Sequence, residues 1–282
     1  MLYPDAKSWR AAPRKSVLFF GMSGLGKTHV SKTLVQQGGW FHYSIDYRIG
    51  TSGMYRHIKD NLIAHAMSDP FLADMLRADA MYLEPIVHNH DLSAVSAYLG
   101  KPGDPQRGGL PMAEYSRRQA QFREAEVAAL TDTPAFIARA QDLYGYPHFI
   151  CDSGGSICEW IDPDDPHDPL LAKLAEHCLL VWIKGDEAHA QELIRRFDLA
   201  PKPMAYQPEF LARVCAQYLA QNTCDEADVD PDSFIRWTYA QALAHRQPRY
   251  SAMARHGVTV SAEEVHAVIS TQDFEDLIAS KL

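Results

Sequence analysis

The chain has 282 residues, 46% of them hydrophobic and 22% charged, the balance of a folded globular protein rather than a disordered or fibrous one. Its 36 acidic and 27 basic side chains leave a net charge of −9, which argues against the broad basic surface of a general nucleic-acid binder. Cys151, Cys158, Cys178, Cys215 and Cys224 form no C-x-x-C pair and fit the reduced thiols of a cytoplasmic protein, while no stretch approaches the ~20 apolar residues of a membrane span.

Ser16 to Phe20 is a short apolar run before glycines and predicts a buried strand. A helix is expected from Lys27 to about Gln37, stopped by Gly38 and Gly39, and Trp40 to Ile45 reads as a second strand. From Met54 to Tyr146 the pattern is helical, with helices expected near 54–67, 70–79, 92–99, 111–130 and 134–143 and a loop over Lys101 to Pro111. This block, 54–146, is expected to be a helical insertion that binds an acceptor. Strands resume at His148–Asp152 and Cys178–Lys184, and Val258–Val260 is the expected last strand. The alternation predicts one α/β domain over 1–282, with helices on both faces of a parallel sheet.

Gly21-Met22-Ser23-Gly24-Leu25-Gly26-Lys27-Thr28 matches G-x-x-x-x-G-K-[ST], the P-loop or Walker A pattern, between an expected strand and an expected helix. Glycines let the backbone turn its N–H groups inward around phosphate oxygens at the positive end of the next helix. Lys27 would then reach the terminal phosphates of ATP, and the Thr28 hydroxyl would ligate Mg2+. Asp152, at the tip of its strand, is the expected second magnesium-side group, and Gly154 and Gly155 after it would let a substrate approach the backbone. Asp46, expected at the end of the second strand, lies on the same carboxyl edge and is the candidate to accept a proton from an attacking hydroxyl. Arg48 and Arg56 are candidate contacts for an anionic acceptor.

Glu187 to Phe197 predicts a helix running into the proline-containing connection Asp198–Pro203. Arg195 and Arg196, with Lys202, could bring positive charge to a transferring phosphoryl group, making 195–209 a candidate lid.

With these residues the chain resembles the P-loop kinases of small molecules, especially the shikimate-kinase and gluconate-kinase branch. The P-loop, Asp46, the Asp152-Ser153-Gly154-Gly155 turn and the arginines after the fourth strand fall in the family's order. Arg246-Gln247-Pro248-Arg249-Tyr250 is similar to its R-x-x-x-Y segment, and the resemblance places an arginine there, taken as Arg249, near the nucleotide. It implies a three-layer P-loop NTPase fold with a parallel five-stranded sheet, the P-loop strand central, a lid, and phosphoryl transfer from ATP to a small polar metabolite or nucleotide. The chain departs from that branch in having Ser44 and Asp46 where the branch has paired aspartates, and in the length of its insertion.

Three other functions compete. Asp152–Gly155 also fits D-x-x-G, and Ile183-Lys184-Gly185-Asp186 half fits the guanine-reading N-K-x-D of a GTPase, with Ile183 where asparagine would stand. A P-loop ATPase or regulatory nucleotide sensor would transfer phosphate only to water. A nucleic-acid-dependent ATPase is disfavoured by the charge, and Arg117, Arg118 and Arg123 read as a solvated face beside the stripe of Tyr115, Gln119 and Phe122. His88-Asn89-His90-Asp91 and the acidic turn Asp162–Asp168 hold metal-ligand residue types, but neither has the spacing of a metal site.

Overall fold

A computed structural model describes residues 1–88, 92–165, 167–201 and 204–282. Strands β1 (Ser16–Phe20), β2 (Trp40–Ser44), β3 (His148–Asp152), β4 (Leu179–Lys184) and β5 (Val258–Ser261) form one all-parallel sheet in the order β2-β3-β1-β4-β5. β1 is central and buried at every position, as its unbroken apolar run requires of a strand covered on both faces.

The register gives each face its own partners. Phe41 pairs with Phe149 and stacks on it with ring centroids 5.9 Å apart, and Tyr43 stacks at 4.3 Å on Phe136 of the helix Thr133–Asp142. Phe20, further along the sheet, lies 6.3 Å from Tyr250 of the long helix Pro231–Met253. On the opposite face Phe19 and Trp40 each meet Phe274 of the helix Thr271–Ala279 edge to face at 5.7 Å. Helices therefore cover both sides of the sheet.

Three strand ends differ from expectation by one residue: β5 runs on to Ser261, and the other two differences have a local cause. β2 stops at Ser44 because the Ser44 hydroxyl accepts a bond from the Tyr47 N–H at 3.2 Å and caps the short helix Ile45–Arg48. Asp46 thus sits in the first turn of that helix and not on the strand. β4 starts at Leu179 because Cys178 closes the helix Pro169–His177.

The segment 54–146 is helical throughout its main elements: Tyr55–Ala66, Pro70–Arg77, Ser93–Leu99, Met112–Thr131 and Thr133–Asp142. A wide π-turn, Ile49–Gly53, precedes them and had no sequence signal. A Cβ on Gly53 would lie 2.3 Å from the Ala125 Cβ, so this turn rests directly on the helix Met112–Thr131. Along that helix Tyr115, Gln119 and Phe122 are buried as expected, but Arg118 departs from the expected solvated face. It is buried, donating to the Tyr98 carbonyl and to Glu114, whereas Arg117 is exposed and held by Glu114.

A buried ion pair ties the long C-terminal helix to the segment after β3. The Arg246 Nε donates to Glu159 Oε1 at 2.6 Å, and a second guanidinium nitrogen donates to the Ala205 carbonyl at 2.5 Å. Burial pushes the Glu159 carboxyl up, but Arg246 beside it reverses this and holds it at about 2. Replacing Arg246 by alanine should leave a buried carboxylate uncompensated and destabilise the fold by about 3–5 kcal/mol. Urea unfolding of the variant against the parent protein measures this, and a loss under about 1 kcal/mol would place the pair outside the stabilising core.

Among the described residues no helix is long and apolar enough to cross a membrane, and all five cysteines are unbonded.

Candidate functional site

The carboxyl edge of the sheet gathers most of the chemistry-bearing residues. Gly21 leaves β1 with φ 132°, a conformation that side chains resist, and a Cβ there would come within 2.5 Å of the Ile183 carbonyl. Gly24 and Gly26 also have positive φ, so the chain curls tightly before Lys27 opens the helix Lys27–Gln37. Met22 and Leu25 turn into the core, and Ser23 approaches Gly155. A glycine-rich curl at a helix N-terminus is a favourable place for a phosphate.

Lys27 is buried, and its Nζ donates to the Gly21 and Met22 carbonyls, both at 2.9 Å. Burial lowers its pKa, while the charges of Asp152 and Asp46 oppose that shift. Those carbonyls hold the ammonium beside the loop, within the reach of its own side chain from any group the loop cradles. The Thr28 hydroxyl donates to Asp152 Oδ2 at 3.1 Å, so the two proposed magnesium-side groups meet. His42 Nε2 stands 3.7 Å from the same carboxylate oxygen.

The turn after β3 is fixed from behind. The Ser153 hydroxyl donates to the Phe19 carbonyl at 2.7 Å, and the buried Tyr250 hydroxyl donates to the Gly155 carbonyl. Gly154 lies between two acids. A Cβ built on it would lie 3.1 Å from Asp46 Oδ1 and 3.2 Å from Glu126 Oε1. Burial raises the Asp46 carboxyl to about 6, with Asp152 adding to the rise and Lys27 opposing it.

Glu126 was not among the sequence candidates. It lies on the helix Met112–Thr131 and is fully buried, with Oε2 accepting from the Ser156 hydroxyl at 2.6 Å and from the Trp160 indole at 2.7 Å. Its other oxygen, Oε1, has no hydrogen-bond partner. Burial pushes this carboxyl up to about 7; the two donors pull it down and Asp46 raises it further. The sequence signal was there in retrospect: Glu126 is the one charge within Ala125-Glu126-Val127-Ala128-Ala129-Leu130.

Five proposed site arginines lie apart from this centre or are held by other groups. Arg48 pairs with Asp132 at 3.1 Å and lies over the Phe136 ring, and Arg56 is exposed on its helix. Arg195 and Arg196 are exposed and both bonded to Glu192, although their helix Glu187–Leu199 touches the loop through Leu193 beside Gly24. Arg249 donates to the Cys158 and Ile161 carbonyls at 2.7 and 2.8 Å, and the neighbour facing the loop is Gln247, 3.0 Å from the Met22 sulfur.

The candidate lid divides in two. Met204 to Gln207 is tied down by Gln119, Arg246 and Glu159, and Pro208 begins a helix; the earlier part is packed as well, with Phe197 stacked on Tyr239 at 3.9 Å and the Asp198 carbonyl accepting from Arg236, while the Arg195 and Arg196 side chains are exposed. Lys202 lies outside the described residues.

The GTPase motif has no base-reading geometry. Ile183 is buried in β4, and the Asp186 carboxylate caps the next helix, accepting from the His189 N–H at 2.8 Å. In the acidic turn, Asp162 and Asp168 carboxylates accept backbone N–H groups at Asp164, Asp162 and Leu171. Asn89 to Asp91 of the His88 motif lie outside the described residues, and among the described residues no three His, Cys, Asp or Glu side chains form a metal-binding group.

The fold and this edge define an α/β protein with a five-stranded parallel sheet and a glycine-rich loop at its centre. No protein-family model and no curated protein matches the chain.

Proposed function

We propose that the chain is an ATP- and magnesium-dependent phosphotransferase of P-loop kinase type, acting in the cytoplasm on a small polar acceptor. The observation that carries this is the convergence of Lys27, the Thr28–Asp152 pair and Asp46 on one sheet edge, around a loop that matches the Walker A pattern at every fixed position. The central place of β1 supports it, as does the commitment of Asp186 to a helix cap rather than to a guanine base.

The residues present suit the groups such a reaction needs. Lys27 exchanges the Gly21 and Met22 carbonyls for oxygens of the terminal phosphates, keeping its ammonium bonded throughout. Thr28 and Asp152 offer a hydroxyl and a carboxylate to Mg2+, which when bound neutralises charge on the phosphate oxygens. Asp46 accepts the acceptor's hydroxyl proton as the hydroxyl oxygen bonds to the γ-phosphorus and the bond to the ADP oxygen breaks. Arg195 and Arg196 supply positive charge only after leaving Glu192, which makes their contribution one of closure.

Transfer of labelled γ-phosphate from ATP to a metabolite pool tests the proposal. Turnover that no acceptor changes would instead identify a hydrolase. Because Asp46 must be ionised to accept a proton and its pKa is raised to about 6, kcat should climb with pH through about 6 and level off above it. A pH–rate profile flat between pH 5 and 8 would remove Asp46 from this role.

A further inference from the structure

The acceptor's own chemistry is written in the groups that face Gly154, and this inference rests on the phosphotransferase proposal. Glu126 Oε1 is a fully buried oxygen with no hydrogen-bond partner, a condition that is unfavourable until a donor meets it. It lies across Gly154 from Asp46 Oδ1, both within 3.2 Å of the place a Cβ would take. Its second oxygen is anchored by Ser156 and Trp160, so the side chain cannot swing away to solvent without breaking two short bonds.

Three arginines near these acids are held by other groups, and a fourth, Arg123, is exposed and lies over the Trp160 ring at 6.0 Å. Arg48 is held by Asp132, Arg246 by Glu159, and Arg249 by two backbone carbonyls. The cation acting on Asp46 is Lys27, which already faces the loop. A carboxylate or phosphate on the acceptor would therefore lie beside Asp46, Glu126 and Asp152 and be repelled by each of them that is ionised.

We infer that the acceptor is a hydroxyl compound carrying an ammonium or another N–H donor, with Glu126 Oε1 accepting that donor while Asp46 takes the hydroxyl. Glu126 belongs to the insertion, so the insertion supplies the specificity and the loop side supplies the phosphate machinery. Gly154 lies between the two acids, its missing side chain letting both carboxylates approach the backbone.

The test uses the full chain, Mg2+ and γ-labelled ATP with three sets of hydroxyl probes matched in size: amino alcohols and amino sugars, neutral polyols and sugars, and hydroxy acids and sugar acids. Labelling of the amino set with kcat/KM at least tenfold above the acid set is the expected result. Preferential labelling of the acid set would overturn the inference and leave the phosphotransferase proposal standing. No labelling of any set, with ATP still hydrolysed, would overturn both.

Glu126→Gln then separates binding from structure, because the amide oxygen can keep the Ser156 and Trp160 bonds while its NH2 replaces the free acceptor. The expected outcome is a tenfold or greater rise in KM for the amino probe, with KM for ATP within twofold. An unchanged acceptor KM accompanied only by a lower melting temperature would make Glu126 purely structural and sink the inference. Gly154→Ala gives a second readout: its backbone φ is not in the left-handed region, and the methyl would press on both acids from 3.1 and 3.2 Å, with circular dichroism checking that the fold is kept. Acceptor KM should rise there too, and an unchanged value would overturn the placement.

Discussion

Lys27→Ala should weaken binding of the magnesium–ATP complex by ~100-fold or more, the loss of about 3 kcal/mol from a charged donor meeting phosphate. The ammonium is buried and already bonded to two carbonyls of its own loop, so its position is set by the curl from Gly21 to Gly26. Removing it also removes a buried charge, and burial is what disfavours that charge in the folded state. The variant should therefore remain folded while losing the nucleotide. Calorimetric titration with ATP, paired with circular dichroism to check the fold, measures both. Equal affinity in the two proteins would mean that the glycine-rich loop does not hold a triphosphate.

Asp46→Asn should have the complementary effect: ATP affinity within about twofold of the parent, and phosphoryl transfer reduced by ~10²–10⁴-fold, the range for loss of a general base. Its stability should move the other way. The folded carboxyl titrates at about 6 against 3.8 for the ordinary group, so between those values the folded protein binds the proton that the unfolded chain has released. Stability contributed by this group is complete below about pH 4, falls as pH rises toward 6, and stays lower above it. An asparagine has no proton to lose. The variant should thus be more stable than the parent at pH 8 and lose that advantage near pH 4, as denaturant midpoints at the two pH values will show. A variant that turned over normally would remove the base from the mechanism.

The sheet was almost fully legible because its strands are buried on both faces and so appear as compact apolar runs; β1 and β3 have the bounds the pattern implied. Helix windows in 54–146 were legible for the same reason, with proline and glycine marking their ends. The glycine-rich curl before Lys27 was legible because a glycine loop is a local sequence property. The acceptor end was not. Glu126 is buried by the packing of Ser156 and Trp160 against it, contacts 30 and 34 residues away along the chain, and the apolar run around it was the only local sign that it is not a solvated glutamate. Arg118 escaped for the same reason, since its burial depends on the Tyr98 carbonyl from another helix. Arg249 was placed by analogy of order, and one helical turn decides whether such a residue meets the loop or the segment after β3.

The contact between Gly53 and Ala125 sets how deep the helix Met112–Thr131 can sink toward the sheet. Glu126 follows Ala125 directly, so the missing side chain at residue 53 acts as the stop that fixes the height of its carboxylate. A methyl added at residue 53 would lift the helix like a shim, drawing the acid back from Gly154 while Lys27, Thr28 and Asp152 kept their places. On the proposed function, the two halves of the site would thereby be adjustable one at a time: bulk at a single helix crossing would shift the acceptor side and leave the glycine-loop side in place.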